Sequence, residues 1–299
     1  MPKRFSASSA AQLMTCPGSA NLELAIPGYV EPVRDDMAGA KGVGTMLHAF
    51  MDTYFTGTDP DELREYAAII QVFAETKVKE RRELCDEPLK CVLWLSNQSQ
   101  AEAEVIADMR DWLPLLRPYP PKMLRFLAET ALYVADLQER FAGTATVYGE
   151  RSMVATWLPS NPRTTPDIAI IGGKTLHIVD YKTGALFVDP CDNDQLLFYA
   201  ACCLVDAPAA EEFTVHVLQP GNLSSWTAPV SYLREWMKKA VATDNKIQAK
   251  DLTLVPSDHC TFCPANPWGR GDKSEAKCPA MQEILYPPVV DNDELFADS

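Results

Sequence analysis

The stretch Asp167-Ile-Ala-Ile-Ile171, Gly172-Gly173, Lys174-Thr-Leu-His-Ile-Val-Asp-Tyr-Lys182 decides the reading of this chain. Two apolar runs rich in Ile and Val flank a Gly-Gly pair, the pattern of a β-hairpin with a two-residue turn. With Gly172-Gly173 as the turn, Ile171 stands opposite Lys174 and Asp167 opposite Ile178. Side chains alternate between faces along a strand, so Asp167 shares a face with Leu176, Ile178, Asp180 and Lys182. Asp180 is then its diagonal neighbour. Diagonal positions lie about 7–8 Å apart, a span that two carboxylates bridge by converging on one hard cation at ligand distances near ~2.1 Å. Unpaired charge among Leu and Ile on a half-buried strand costs on the order of several kcal/mol, so these acids mark either a site or a structural Asp180–Lys182 ion pair at a fraying strand end. The alternation alone fits both.

Outward from the hairpin, residues 190–205 and 231–249 read as helices and residues 213–218 as a strand. Short β-branched and aromatic runs at 131–134 and 152–157, broken by Gly and Pro, predict that the sheet begins near Leu124. Towards the start, residues 6–14 carry Ser caps and good helix formers, and Pro17-Gly18 stops the helix just after Cys16. A loop is expected over 27–44. Thr45 then caps a helix with Leu47, Phe50, Met51 and Tyr54 at helical spacing and His48 and Asp52 on its other face, where they can pair at i,i+4. Residues 57–125 read as a helical insertion, with amphipathic stretches at 61–84 and 99–112, and residues 286–299 as an acidic tail.

The chain has 299 residues, 47% hydrophobic and 23% charged, enough for one or two domains with a real core and outside the composition of fibrous or wholly disordered polymers. No apolar run approaches the ~18–20 residues of a membrane span, and the Ser/Ala-rich start lacks the apolar core of a signal peptide. Nine cysteines without an export signal argue for a reducing, cytoplasmic setting in which grouped cysteines hold metal. A formal charge of −14 opposes non-specific binding to nucleic acid, so DNA binding requires basic groups gathered at one groove and a cation at the acidic site. Gly39, Gly42 and Gly44 do not make a Walker phosphate loop, because Lys41 precedes the last glycines.

Asp167, then Asp180-Tyr181-Lys182, then Gln195-Leu-Leu-Phe-Tyr199, with Gly44-Thr45-Met46-Leu47-His48 upstream, resembles the PD-(D/E)XK nuclease superfamily in its RecB-like branch. The resemblance spans about residues 44–199 and implies an α/β fold of restriction-endonuclease type, a mixed β-sheet flanked by helices. It implies that His48, Asp167, Asp180 and the Tyr181 carbonyl hold Mg²⁺ or Mn²⁺, that Lys182 orients or helps deprotonate the attacking water, and that Gln195 and Tyr199 face the substrate. Cys16 ahead of this core, with Cys260-Thr-Phe-Cys263 and Cys278 after it, resembles the one-plus-three cysteines of RecB-like nucleases carrying a [4Fe-4S] cluster, which would join the two ends of a single domain over residues 1–285. The Cys263–Cys278 gap, with Pro267, Gly269 and Gly271, is longer than that pattern, and Cys₄ also suits zinc. His259 is an alternative ligand or a surface histidine.

The chain departs from the resemblance at Gly143-Thr144-Ala145, which continues with Thr146 where an Asp is expected. Thr165-Pro166-Asp167 supplies the acid instead, residues 144–164 become an extra hairpin or loop, Glu150 ranks below Asp167 as a ligand, and Glu129 is a supporting carboxylate. Cys85, Cys91, Cys191, Cys202 and Cys203 read as core. The function implied is a DNA exonuclease of recombination or repair in a bacterial or phage-infected cytoplasm, acting on DNA with a free end. An annealing or replication protein could dock on Leu295-Phe296 of the tail. The alternatives are a structure-selective endonuclease on the same fold and a catalytically silent DNA-binding or assembly module.

Overall fold

The computed structural model describes residues 5–29, 39–55, 57–77, 113–117, 119–184, 186–263, 265–266 and 278–281. The expectations for residues 78–112 with Cys85 and Cys91, for Pro267, Gly269 and Gly271, and for the tail lie outside the described residues. The chain divides into two compact units, one of Met1–Arg34, Ala155–Pro162 and Glu235–Ser299, the other of Asp35–Val154 and Arg163–Arg234.

Among the described residues, helices α1 (Ala10–Thr15), α2 (Leu22–Ala25), α3 (Gly39–Phe55), α4 (Pro60–Glu75), α5 (Leu113–Leu116), α6 (Pro121–Phe141), α7 (Asp194–Cys203) and α8 (Val230–Gln248) accompany seven strands. Five strands, β1 (Thr146–Gly149), β4 (Ile168–Ile171), β5 (Thr175–Tyr181), β6 (Glu212–Gln219) and β7 (Asn222–Pro229), form one sheet in the order β1-β4-β5-β6-β7. All neighbours are antiparallel except β5 and β6, whose parallel pairing needs the crossover through α7. The sheet is therefore mixed and mainly antiparallel. Strands β2 (Met153–Val154) and β3 (Arg163–Thr164) form a separate ribbon.

On one face of the sheet, Ile168, Ile170, Val179 and Tyr181 join a core with Leu47 and Phe50 of α3, Ile70 and Phe73 of α4 and Leu124, Leu127 and Val134 of α6. Helix α7, with Leu197 and Phe198 buried, packs on β5 and β6. Such burial stabilises by about 1.5–3 kcal/mol per large apolar side chain, and it overrides local propensity in two places. Helix α3 begins at Gly39, six residues ahead of the expected Thr45 cap, and takes its glycines into its first turns. Residues 131–134, expected in the sheet, lie instead in α6, whose Leu124, Leu127, Ala128, Ala131, Val134 and Ala135 are buried at a spacing of three and four. The sheet begins at Thr146.

The hairpin forms, with its turn moved by one residue. Pairs Ile168–Val179, Ala169–Ile178 and Ile170–His177 centre the turn on Gly173-Lys174. The cause lies in the neighbouring strand: Gly172 continues β4 past the Thr146–Ile171 pair, and a Cβ there would sit 2.6 Å from Ala145 Cα. Gly172 is thus consumed by close packing and Gly173, at φ 65°, makes the bend. Moving the turn by one residue moves each partner by two, so the alternation of faces is kept. Carried one step further, this register places Asp167 directly across from Asp180, not diagonal to it.

In the other unit, Leu22, Ile26, Tyr29, Cys263, Ala265 and Cys278 form a small core. Asp244 of α8 is fully buried and accepts a 2.8 Å hydrogen bond from the Ser160 amide, which fixes residues 155–162. No helix among the described residues is long and apolar enough to cross a membrane.

Candidate functional site

The end of the β4–β5 hairpin gathers its charged groups from four elements. Asp167, ahead of β4, is 7% exposed and its Oδ2 accepts a 2.6 Å hydrogen bond from the Tyr181 amide. That bond fixes the carboxylate and leaves Oδ1 facing α3, 3.2 Å from His48 Nδ1. Glu150 follows β1 at φ 42°, a left-handed conformation that few non-Gly residues adopt, and its amide bonds to the Asp167 carbonyl at 2.9 Å. This bend brings Glu150 Oε1 to 3.9 Å from His48 Nδ1. Ligand atoms of His48, Glu150 and Asp167 all lie within 4.8 Å of one another.

Beside this triad lies a second group. Asp180 is 2% exposed; its Oδ2 is 2.8 Å from Lys182 Nζ, and its Oδ1 accepts from Gln195 Nε2 at 3.4 Å. Lys182 Nζ donates to Gln195 Oε1 at 2.9 Å, and Gln195 Nε2 also donates to the Tyr199 hydroxyl at 2.9 Å. The Asn193 side chain caps α7 by accepting from the Gln195 and Leu196 amides, which sets the first turn so that Gln195 and Tyr199, one turn apart, meet the end of β5.

Electrostatics couples the two groups. Burial alone would lower the His48 pKa, but hydrogen bonds and charge from Asp167 and Glu150 outweigh it and raise it to about 10. Burial, then the facing Asp167 charge, raises Asp180 to about 6 against the opposing pull of Lys182. Glu150 is raised by burial and by Asp167 and Asp52, with His48 acting the other way. Asp180 and Glu150, each raised in part by the Asp167 charge, are relieved by a cation, so the donor set of one imidazole and hard oxygens fits Mg²⁺ or Mn²⁺.

Most of the expected residues are thus brought together, with corrections. Asp180 does not join the compact triad, because its carboxylate turns towards Lys182 and Gln195; Glu150, ranked lower from the sequence, takes that place through its unusual backbone angle. His48 faces Asp167 and Glu150 rather than pairing with Asp52. Glu129 is exposed on α6. Gln138 of that helix lines instead, with Asp52, Glu150, Asp167 and Tyr181, the pocket beside the triad. Its place was hidden because residues 131–134, just before it, read as strand and broke the helix.

Cys16, Cys260, Cys263 and Cys278 are buried and line one pocket, with His259 on its wall. Sulfur acceptors are already engaged: Cys16 Sγ accepts from the Val255 amide at 3.2 Å and Cys260 Sγ from the Ser257 amide at 3.3 Å, bonds that stabilise thiolates. Burial raises the Cys263 thiol to about 11 despite the Ala265 amide, and the other three cysteines add to the rise. Cys202 and Cys203 are core, as expected; Cys191 is exposed, because it stands in the polar turn ahead of α7.

A search among curated proteins found no match. Among solved structures the chain is similar to "Crystal structure of SSO0001", at 12% identity over 76% of this chain and 94% of that one, with a TM-score of 0.27, from which no relation of fold follows. One family model matches almost end to end, over residues 3–297, and the chain belongs to that family, described as "Protein of unknown function (DUF2800)".

Proposed function

We propose that this protein is a metal-dependent deoxyribonuclease of PD-(D/E)XK type, RecB-like branch, acting as an exonuclease on DNA ends. The observation that carries the reading is the Asp180–Lys182–Gln195–Tyr199 network set against the His48–Glu150–Asp167 triad. A structural ion pair at a strand end needs neither the amide bridge nor the triad.

His48, Asp167 and Glu150 would hold Mg²⁺ or Mn²⁺, with Asp180 and the Tyr181 carbonyl as further oxygen donors. Such a cation supplies charge neutralisation at the phosphate and a lowered pKa for water. Lys182 Nζ, directed by Asp180 and Gln195, holds the attacking water and donates to a phosphate oxygen. Gln195 keeps that amine in one position and Tyr199 fixes the amide. The four-cysteine pocket would hold a [4Fe-4S] cluster in preference to zinc, a reading supported by the four cysteines on one pocket and the amide donors to Cys16 and Cys260.

The test is incubation with end-labelled single- and double-stranded DNA in Mg²⁺, Mn²⁺ or EDTA. Cation-dependent release of nucleotides, lost in Asp180→Ala and Lys182→Ala, is expected. Cleavage of closed circles would make the protein an endonuclease, and binding without cleavage under either cation would make it a silent module. A broad absorption near ~400 nm with equal iron and sulfide is expected of the cluster, and zinc alone would overturn that part.

A further inference from the structure

Leu186 and Phe187 are 71% and 67% exposed, the most exposed of the large apolar side chains among the described residues. Both stand in the segment between β5 and α7, and that segment starts and ends at the candidate site: Lys182 at its beginning and Gln195 at its end are bonded at 2.9 Å. The chain therefore leaves the site and returns to it, carrying this apolar pair at its outer part.

The pair stands on a fixed base. Gln219, at the end of β6 and 6% exposed, donates to the Leu186 carbonyl at 2.9 Å and accepts from the Val188 amide at 3.0 Å. One buried amide thus clamps the backbone on both sides of Phe187. Gln219 is next to Leu218, whose carbonyl accepts the Lys182 amide at 2.9 Å, so the clamp and the site's amine share one end of the parallel β5–β6 pair. Burying a glutamine to immobilise a backbone whose side chains stay in water gives the pair no folding role.

We infer that Phe187, with Leu186 beside it, is the platform on which a nucleobase at a DNA end stacks, an inference that rests on the nuclease reading and names how that site grips its substrate. With a formal charge of −14 the protein cannot hold DNA by ionic attraction to phosphates alone. Stacking of a base on an aromatic ring is independent of that charge and of sequence, and it anchors unpaired nucleotides, which a site working at ends requires.

An oligonucleotide with 2-aminopurine at its terminal positions, in Ca²⁺ to separate binding from turnover, reports the contact. Wild type should quench and bind it, and Phe187→Ala should weaken binding about tenfold, with Phe187→Tyr restoring it. The difference between wild type and Phe187→Ala should vanish on an oligonucleotide whose terminal nucleosides are abasic. Leu223→Ala, at another exposed apolar residue, on β7, serves as the control and should bind as wild type does. Equal affinity of wild type and Phe187→Ala for the ordinary oligonucleotide, or an equal loss on the abasic one, would overturn the inference. Because the readout needs no hydrolysis, a protein that stacks bases yet cuts nothing would refute the nuclease reading and leave the platform standing.

Discussion

His48 sits between two carboxylates and carries a proton that a metal must displace. With its pKa raised to about 10 by Asp167 and Glu150 against the opposing effect of burial, the metal-free imidazole stays charged through neutral pH. The folded value lies above the ordinary 6.5, so His48 lends stability fully below pH 6.5, and this is lost as the pH rises through about 10. An NMR titration of the metal-free protein should place the His48 midpoint well above 8, and Glu150→Gln should lower it by removing one negative charge. A midpoint near 6.5 in both proteins would show that the triad does not form. Of these residues, Asp167, Asp180 and Lys182 were legible because strand alternation is local, and His48, Gln195 and Tyr199 through the resemblance their motifs carry. Glu150 was obscured because its place depends on a positive φ that no side-chain pattern announces.

At the level of elements, the hairpin's faces were readable while its register was not. Alternation has period two, so the face survived a turn displaced by the packing of Gly172 on Ala145, a contact between strands distant in sequence. Helix α6 was misread for a related reason: Leu, Tyr and Val in a short window suit either structure, and only the buried stripe along the full helix decides. The same helix covers a half-buried pair on β5 and β6, His177 and His216, stacked at 5.5 Å with Nδ1 and Nε2 3.2 Å apart. Burial, then the charges of His177 and Arg140, lowers His216 to about 4. Stability is undiminished above pH 6.5 and should fall, by on the order of 2 kcal/mol, as the pH drops from 6.5 towards 4 and the unfolded chain alone takes up the proton. Denaturation of wild type and His216→Phe at pH 7 and pH 4.5 checks this; the variant should lose less. In the cysteine-bearing unit, Gly18 lies so close to the chain that an added Cβ would be 2.5 Å from the Thr253 carbonyl oxygen. Gly18→Ala should cost about 1–3 kcal/mol and loosen the segment that supplies the Val255 amide to Cys16, a loss visible in thermal unfolding. Unchanged stability would mean that this approach does not constrain the fold.

For the molecule as a whole, composition set broad limits and the spacing of a few residues did the rest. A charge of −14 argues against a general nucleic-acid binder, and it leaves room for a site that meets DNA through a cation, one lysine and an aromatic ring. Cys16 and the remote trio Cys260, Cys263 and Cys278 line one pocket within one unit, so their grouping was legible from number and spacing, while four thiolates alone do not choose between a cluster and zinc. The claim on which all of this turns is that His48, Glu150 and Asp167 hold a divalent cation. Titration of Mn²⁺ followed by electron paramagnetic resonance tests it directly, since protein-bound Mn²⁺ loses the signal of the aqueous ion. Binding of Mn²⁺ by wild type, weakened about 10-fold or more in Asp167→Asn and His48→Ala, is the expected result; equal Mn²⁺ signals with and without protein, or binding untouched by both substitutions, would contradict it.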